Sequence, residues 1–224
     1  MTPSFQRSQR VSQQFFTAAA LIGAMGCARA PSVREATPAD IRAFMKAQGK
    51  TVVTFLGYSA AEYEDTAAMR QHATAALAEF DPATALVNIG ATPDGIGAVY
   101  EIARTRGFTT TGIVSTQARD TKAALSTHVD HVFFVNDSTW GGFVDAGSQL
   151  SPTSATMVEV SDHLIAIGGG DVARDELIGA QRAGKAVRFI AADMNHAIAI
   201  DRAKQRGQPI PTDFRGSAAA AVTR

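Results

Sequence analysis

The feature that most constrains the fold is a regular alternation of short apolar runs with longer segments of helical period. The runs contain five to seven residues, are rich in valine and isoleucine, and span 51–56, 85–89, 109–115, 131–136, 163–167 and 186–191. Strands that alternate with helices build parallel βαβ units. The sequence therefore predicts an α/β fold: a doubly wound, mainly parallel six-stranded sheet with helices on both faces and a ligand crevice at the carboxyl ends of the strands.

Helix boundary signals lie beside these runs. Thr37, which is followed by proline, is typical of a helix start, and Gly49 is typical of a helix end. Ser59 and Glu62 have the spacing of a capping box, which predicts a helix running to about Phe80.

The second half of the chain carries fewer such signals. Its sequence predicts short helices over about 121–127 and 154–160. Residues 137–154 are rich in glycine, serine and aspartate and are predicted to form a long surface loop. Asp193 after the last strand is equally plausible as a helix cap or as part of a ligand pocket.

Charge separates the N-terminal region from the rest. The 21 basic and 21 acidic side chains give a net charge of +0, but Arg7, Arg10, Arg29 and Arg34 all precede the first acid, Glu35. Removing these four from the 21 leaves 17 basic and 21 acidic side chains, so the remainder carries a net charge of −4. This balance argues against a protein that binds nucleic acid through its phosphates.

The basic opening precedes a small apolar run, 15–26, and the only cysteine, Cys27. This order is that of an export signal, and residues 24–27 resemble a bacterial lipobox in which Cys27 would be lipidated. Two interpretations stay open: an envelope lipoprotein, or a cytoplasmic protein with a disordered N-terminal extension. The predicted organisation is a leader at 1–36, one domain at 37–206 and a C-terminal arm at 207–224.

The first glycine cluster follows the second predicted strand and contains Gly90, Asp94, Gly95 and Gly97. Glycines at this position allow a backbone to approach an anion, which the N-terminus of the next helix would favour. The cluster fits neither common phosphate-binding motif. The alternative is that these glycines only form a tight turn with close packing.

The second cluster, Gly168, Gly169, Gly170 and Asp171, follows the fifth predicted strand. Three consecutive glycines favour close approach of a ligand or of another backbone segment. In the helix that follows, Glu176 could act as a base or hold a ribose hydroxyl, although spacing alone favours a solvated acid near a helix start.

Several other residues are candidate parts of a site. Gly57, Tyr58 and Ser59 follow the first predicted strand and would form a rim, although Ser59 is better explained as a helix cap. The indole of Trp140 could stack on a base or serve as a hydrophobic plug. Histidines at 128 and 131 suggest solvated loop residues, so the sequence predicts no metal site and no cofactor.

Two segments resemble a known family. They are VNIGATPDGIGAVYEIARTRGFTTTGIVS and MVEVSDHLIAIGGGDVARDELIGAQRAGKAVRFI. Together they look like the SMF/LOG (SLOG) superfamily of Rossmann-like nucleotide-binding proteins, which includes phosphoribohydrolases once called lysine decarboxylases. The resemblance covers about residues 51–206 and implies a nucleotide-like ligand, a homodimer and a role for Glu176.

The departures from that family concern its chemistry. The phosphoribohydrolases carry PGGxGTxxE, whereas this chain keeps two glycines and Glu176 but lacks the proline and the glycine-threonine pair. The family's arginine would fall near Thr153 or Ser154, where there is no arginine; Arg174 is a substitute phosphate partner. The resemblance thus implies binding of a nucleotide-derived or phosphate-bearing molecule, by a sensor or carrier rather than a hydrolase. The alternatives are a hydrolase of nucleoside monophosphates or sugar phosphates, and a lipoprotein that acts through protein interaction.

Overall fold

The structure, a computed structural model, describes residues 30–144 and 149–222. They form one parallel sheet in the order β1-β5-β4-β3-β2-β6-β7. The strands are β1 (Ser32–Glu35), β2 (Thr51–Gly57), β3 (Ala85–Ile89), β4 (Thr109–Ser115), β5 (His131–Val135), β6 (His163–Ile167) and β7 (Ala186–Ile190). The predicted doubly wound α/β architecture is confirmed, and its winding reverses between β2 and β6.

The predicted number of six strands is wrong, because the sheet contains a seventh strand at its edge. Strand β1 lies within the segment assigned to the leader and pairs with β5, with Ser32 opposite His131. All four of its residues are exposed. An edge strand with two solvated faces has no apolar run, so hydrophobic patterning could not reveal it.

The described residues contain seven α-helices, of which six connect successive strands and the seventh follows β7. They are α1 (Pro38–Gln48), α2 (Thr66–Leu77), α3 (Ala98–Thr105), α4 (Thr116–Asp120), α5 (Pro152–Val160), α6 (Asp171–Arg182) and α7 (His196–Gln205). Short 3₁₀ turns occupy Gly95–Gly97 and Ser217–Ala221. Helices α2 and α3 share a core with one face of the sheet, whereas α1, α5 and α6 cover the other. No helix of the described ranges has the length and apolar character that a membrane span requires.

The predicted boundaries of the first helix are confirmed. Thr37 forms a reciprocal capping box with Asp40, in which its hydroxyl accepts a hydrogen bond from the Asp40 backbone N–H at 3.2 Å. Gly49 ends the helix in the left-handed conformation, at φ 61°.

Other predicted boundaries are wrong. Ser59 caps no helix, because Glu62 takes a positive φ of 51° and α2 starts only after Asp65, its actual cap. The helix predicted over 121–127 instead lies at Thr116–Asp120, next to the strand end. The cap of α7 is Asn195, whose side chain accepts from the Ile198 backbone at 3.0 Å, and not Asp193.

Candidate ligand-binding site

A cavity of about 420 Å³ opens at the carboxyl edge of the sheet, where β2, β3 and β4 end. Helices α5 and α6 and the loop that contains Trp140 close its sides. Its walls are mainly apolar, and the polar side chains among them come from Ser59, Thr92, Asp94, Ser115, Thr153 and Glu176. A concave apolar site with a few polar groups is the usual form of a small-molecule site.

Glu176 is the buried acid of this cavity. Only 5% of the residue is exposed, and the Ser154 hydroxyl donates a hydrogen bond to its Oε1 at 2.7 Å. Burial raises the pKa of Glu176 to about 7; the Ser154 hydrogen bond opposes the shift and Asp175 adds to it. The solvated position that spacing favoured is therefore wrong, because α6 turns this side chain inward.

The loop beside the cavity is fixed to the starts of α5 and α6. The Gly142 N–H donates to Ser154 Oγ at 2.8 Å, and the Phe143 N–H donates to Asp175 Oδ2 at 2.8 Å. This anchoring holds Trp140 at the cavity with 54% of the residue exposed. A half-exposed indole is not a buried plug, and its place in the cavity lining allows contact with a ligand.

Thr153 contributes a second buried polar group. The residue lines the cavity, only 5% of it is exposed, and its Oγ1 makes no hydrogen bond of ordinary geometry among the described residues, although it lies beside the Asp137 carboxylate, whose pKa it helps to lower. Its backbone N–H donates to Asp137 Oδ2 at 3.0 Å, which fixes the first turn of α5. A hydroxyl can both donate and accept, so this one can also contact a ligand in the cavity.

The first glycine loop borders the cavity only in part. Gly90 and Asp94 line the cavity, whereas Gly95 and Gly97 do not. A Cβ at Gly97 would collide with the Thr92 carbonyl oxygen, and one at Gly95 would lie 2.6 Å from the Ser59 carbonyl oxygen. Those two glycines are required for backbone packing in the described structure.

The second glycine loop does not reach the cavity. Gly168, Gly169, Gly170 and Asp171 are absent from its lining, although Val172 and Ala173 in the first turn of α6 contribute to it. The backbone of the C-terminal arm covers this loop instead: the Ala218 N–H donates to the Gly169 carbonyl at 3.0 Å. The approach of another backbone segment, one of the two explanations for three glycines, is what the structure contains.

Gly57 and Ser59 line the cavity, but Tyr58 points away from it. The Tyr58 hydroxyl donates to the Arg215 carbonyl at 2.5 Å and so joins β2 to the C-terminal arm. Burial raises the pKa of Tyr58. Tyr58 therefore fills the crevice between β2 and β6 where a doubly wound sheet usually binds its ligand.

Arg174 lies outside the cavity lining and has two acidic partners. Its guanidinium contacts Asp171 Oδ1 at 2.8 Å and Asp175 Oδ1 at 2.8 Å. This arginine is thus held by carboxylates of its own helix. The described residues contain no group of three histidine, cysteine or acidic side chains placed to hold a metal ion.

Sequence reasoning did not identify Thr153 and Ser154 as functional side chains. In the sequence these two positions stand out only as the place where the SLOG phosphoribohydrolases carry an arginine. Short hydroxyl residues at a helix start are ordinary in any sequence, so no pattern distinguishes the two that reach a cavity. Cys27 lies outside the described residues.

Comparison with known proteins gave structural similarities alone. No protein-family profile matches the chain, and no curated protein matches it significantly. One similar solved structure is a structural-genomics target named TM1055, with 22% identity and a TM-score of 0.45, covering 61% of this chain and 72% of that chain. A Moco carrier protein from Chlamydomonas reinhardtii has 20% identity and a TM-score of 0.45, covering 70% of this chain and 97% of that chain. Membership of the SLOG superfamily stays a prediction.

Proposed function

We propose that this protein binds a nucleotide-derived small molecule in the cavity beside Glu176, as a sensor or carrier rather than a hydrolase. The observation that carries the proposal is a cavity of about 420 Å³ at the carboxyl edge of a parallel sheet, with a buried carboxyl in its wall. Ligands of open α/β sheets bind at this edge. A cavity of this volume suits a ligand of nucleoside size.

The arrangement of charges favours binding over hydrolysis of a phosphorylated substrate. A hydrolase for nucleoside monophosphates must hold the phosphate while the glycosidic bond breaks, and arginine is the usual partner. The charged side chains that line the described cavity are Asp94 and Glu176, both acidic. Arg174 is already paired with two carboxylates.

Isothermal titration of the full chain against bases, nucleosides and nucleotides tests the proposal. A matched pair of variants reports the location, since a Cβ at either Gly90 or Gly170 would meet no atom within 4 Å, and only Gly90 lines the cavity. We expect at least one compound to bind the natural protein and Gly170→Val alike, and to bind Gly90→Val at least about tenfold more weakly. Absence of binding by the whole panel, or unchanged binding by Gly90→Val, would overturn the proposal.

A hydrolase is the second candidate function, and one observation favours it. A buried carboxyl with a pKa of about 7 is suited to proton transfer near neutral pH. Release of free base from a nucleoside monophosphate, measured by chromatography, should then fall by about a hundredfold or more in Glu176→Gln. Glu101→Gln is the control, because Glu101 is on the surface and pairs with Arg70. Undiminished release in Glu176→Gln excludes this mechanism.

The lipid anchor at Cys27 and the homodimer are separate proposals. Cell fractionation tests the anchor: an envelope lipoprotein should move from the membrane to the soluble fraction when Cys27 is replaced by serine. If Cys27→Ser partitions like the natural protein, the anchor is wrong. The molecular mass measured by light scattering tests the dimer.

A further inference from the structure

The electrostatics of the cavity restrict which part of a nucleotide it can hold. Asp94 lies at the rim and Glu176 is buried in the wall, and the other lining side chains of the described residues are uncharged. A phosphate monoester carries a charge of about −2 at neutral pH. Moving that charge into an apolar cavity beside two acids would cost both desolvation and repulsion.

Three backbone N–H groups of the first glycine loop are already used within the protein. The Ile96 N–H donates to the Tyr58 carbonyl at 2.7 Å, and the Gly97 N–H donates to the Asp94 carbonyl at 3.0 Å. The Ala91 N–H donates to the Tyr100 hydroxyl at 3.1 Å. A phosphate-binding loop needs such donors to be free, and here they hold the loop to its own neighbours.

The start of α6 is also occupied by the protein's own groups. Asp171, the first residue of the helix, places a carboxylate there, and it accepts a hydrogen bond from the Ser217 hydroxyl at 2.6 Å. The Gly168 N–H is used as well, because it donates to the Ile190 carbonyl at 2.8 Å. At the second glycine loop, which lies outside the cavity, this carboxylate and the arm thus oppose the binding of an external anion.

What the cavity does offer is suited to an uncharged heterocycle. The buried Thr153 hydroxyl makes no hydrogen bond of ordinary geometry, and Glu176 makes a single hydrogen bond among the described residues, through Oε1. Trp140 is half exposed at the same cavity. A flat ring with N–H groups can satisfy the two polar groups while it stacks on the indole.

From these contacts we infer that the cavity selects the unphosphorylated form of its ligand, a free base or nucleoside, and discriminates against the corresponding 5′-monophosphate. The inference rests on the proposed function, because it specifies the ligand class of the same site. Glu176 and Thr153 provide the polar contacts to the ring. The acids and the apolar walls provide the discrimination.

The test is a titration of matched pairs at fixed ionic strength. Adenosine, guanosine, cytidine and uridine, and the free bases, are each compared with the corresponding 5′-monophosphate on the full chain. We expect at least one base or nucleoside to bind and its monophosphate to bind at least about tenfold more weakly. A monophosphate that binds as tightly as its nucleoside overturns the inference but leaves the proposed function standing. If no member of any pair binds, both are overturned.

Two variants test which side chains bind the nucleoside and which disfavour its monophosphate. Thr153→Val should weaken nucleoside binding about fivefold or more, and urea denaturation checks that the variant keeps its fold. Thr105→Val, on the exposed surface of α3, is the control. Asp94→Lys replaces an exposed rim carboxylate and should reduce the preference for nucleoside over monophosphate about tenfold. Unchanged binding by Thr153→Val, or an unchanged preference in Asp94→Lys, counts against the inference.

Discussion

The two glycine loops have similar composition and equivalent positions after a strand, but their surroundings differ. The loop at 90–97 borders the cavity through Gly90 and Asp94. The loop at 168–171 lies under the C-terminal arm, where the Ala218 N–H donates to the Gly169 carbonyl at 3.0 Å. The difference shows that glycines at a strand end do not by themselves mark a ligand site. Whether another segment of the chain covers them determines whether a ligand can reach them.

The two loops share close backbone packing around their glycines. Substitutions of these glycines are expected to have the largest effect on stability. Gly95 has a φ of 57° and faces the carbonyl oxygens of Tyr58 and Ser59; Gly169 has a φ of 127° and faces Ala173. Alanine at either position would combine backbone strain with overpacking, so we expect each variant to lose about 3 kcal/mol or more of unfolding free energy in urea denaturation.

The matched control for both variants is Gly170→Ala. Its Cβ would meet no atom within 4 Å, and its φ of −90° is ordinary for alanine. We expect a change of less than about 1 kcal/mol. Gly95→Ala or Gly169→Ala with equally small losses would show that the glycines are not required for packing.

Burial and packing also explain which parts of the fold and of the site could be predicted from the sequence. Apolar runs revealed β2 to β6, which are mostly buried, and the half-buried β7, whereas exposed β1 carries no such signal. Residue types also marked both loops and Glu176. They could not show that the arm covers one loop, or that Ser154 reaches Glu176, since both contacts join segments that are distant in the chain.

The second prediction concerns Glu176. This residue follows the second glycine loop in sequence, but its side chain lines the cavity that the first glycine loop borders. Its pKa is raised from 4.5 to about 7, so the folded protein keeps a proton that the unfolded chain loses between these values. This group's contribution to stability is full below pH 4.5 and decreases by about 3 kcal/mol as the pH rises to 7. Glu176→Gln should remove that decrease and be the more stable protein at pH 8.

The measurement is urea denaturation of both proteins from pH 4 to pH 8. The other charged groups near this carboxyl are Asp175, which is paired with Arg174, and Asp94 at the cavity rim. Glu101→Gln, at the surface, should keep the pH dependence of the natural protein. If Glu176→Gln has that same dependence, the carboxyl does not titrate in the way its burial requires.

The third prediction concerns the C-terminal arm that covers the second loop. Ala218 and Ala221 are buried against α6 and the second loop. A carboxylate at Ala218 should displace the arm at a cost limited to its docking energy, about 2 kcal/mol for two buried methyl groups and their surroundings. Ala218→Asp should lower stability by that amount and speed trypsin cleavage after Arg215.

Ala220→Asp is the control for the arm, because Ala220 lies in the same 3₁₀ turn and is exposed. It should change neither stability nor cleavage. Ligand binding in the cavity should persist in Ala218→Asp, since the arm contributes none of its described lining. Loss of ligand binding in this variant would mean that the two loops are coupled.

The smallest expected effect on stability is that of a substitution at Gly170, near the end of the second loop. Gly170 is the N-cap of α6, it makes no side-chain capping bond, and its φ of −90° suits any residue. Serine there would supply the missing cap and reduce the freedom of the unfolded chain, so Gly170→Ser should gain about 0.5 kcal/mol in urea denaturation. Ligand affinity should stay constant, because this position lies outside the cavity. A gain in stability with a loss of affinity would instead place the ligand against the second loop and make the two loops parts of one site.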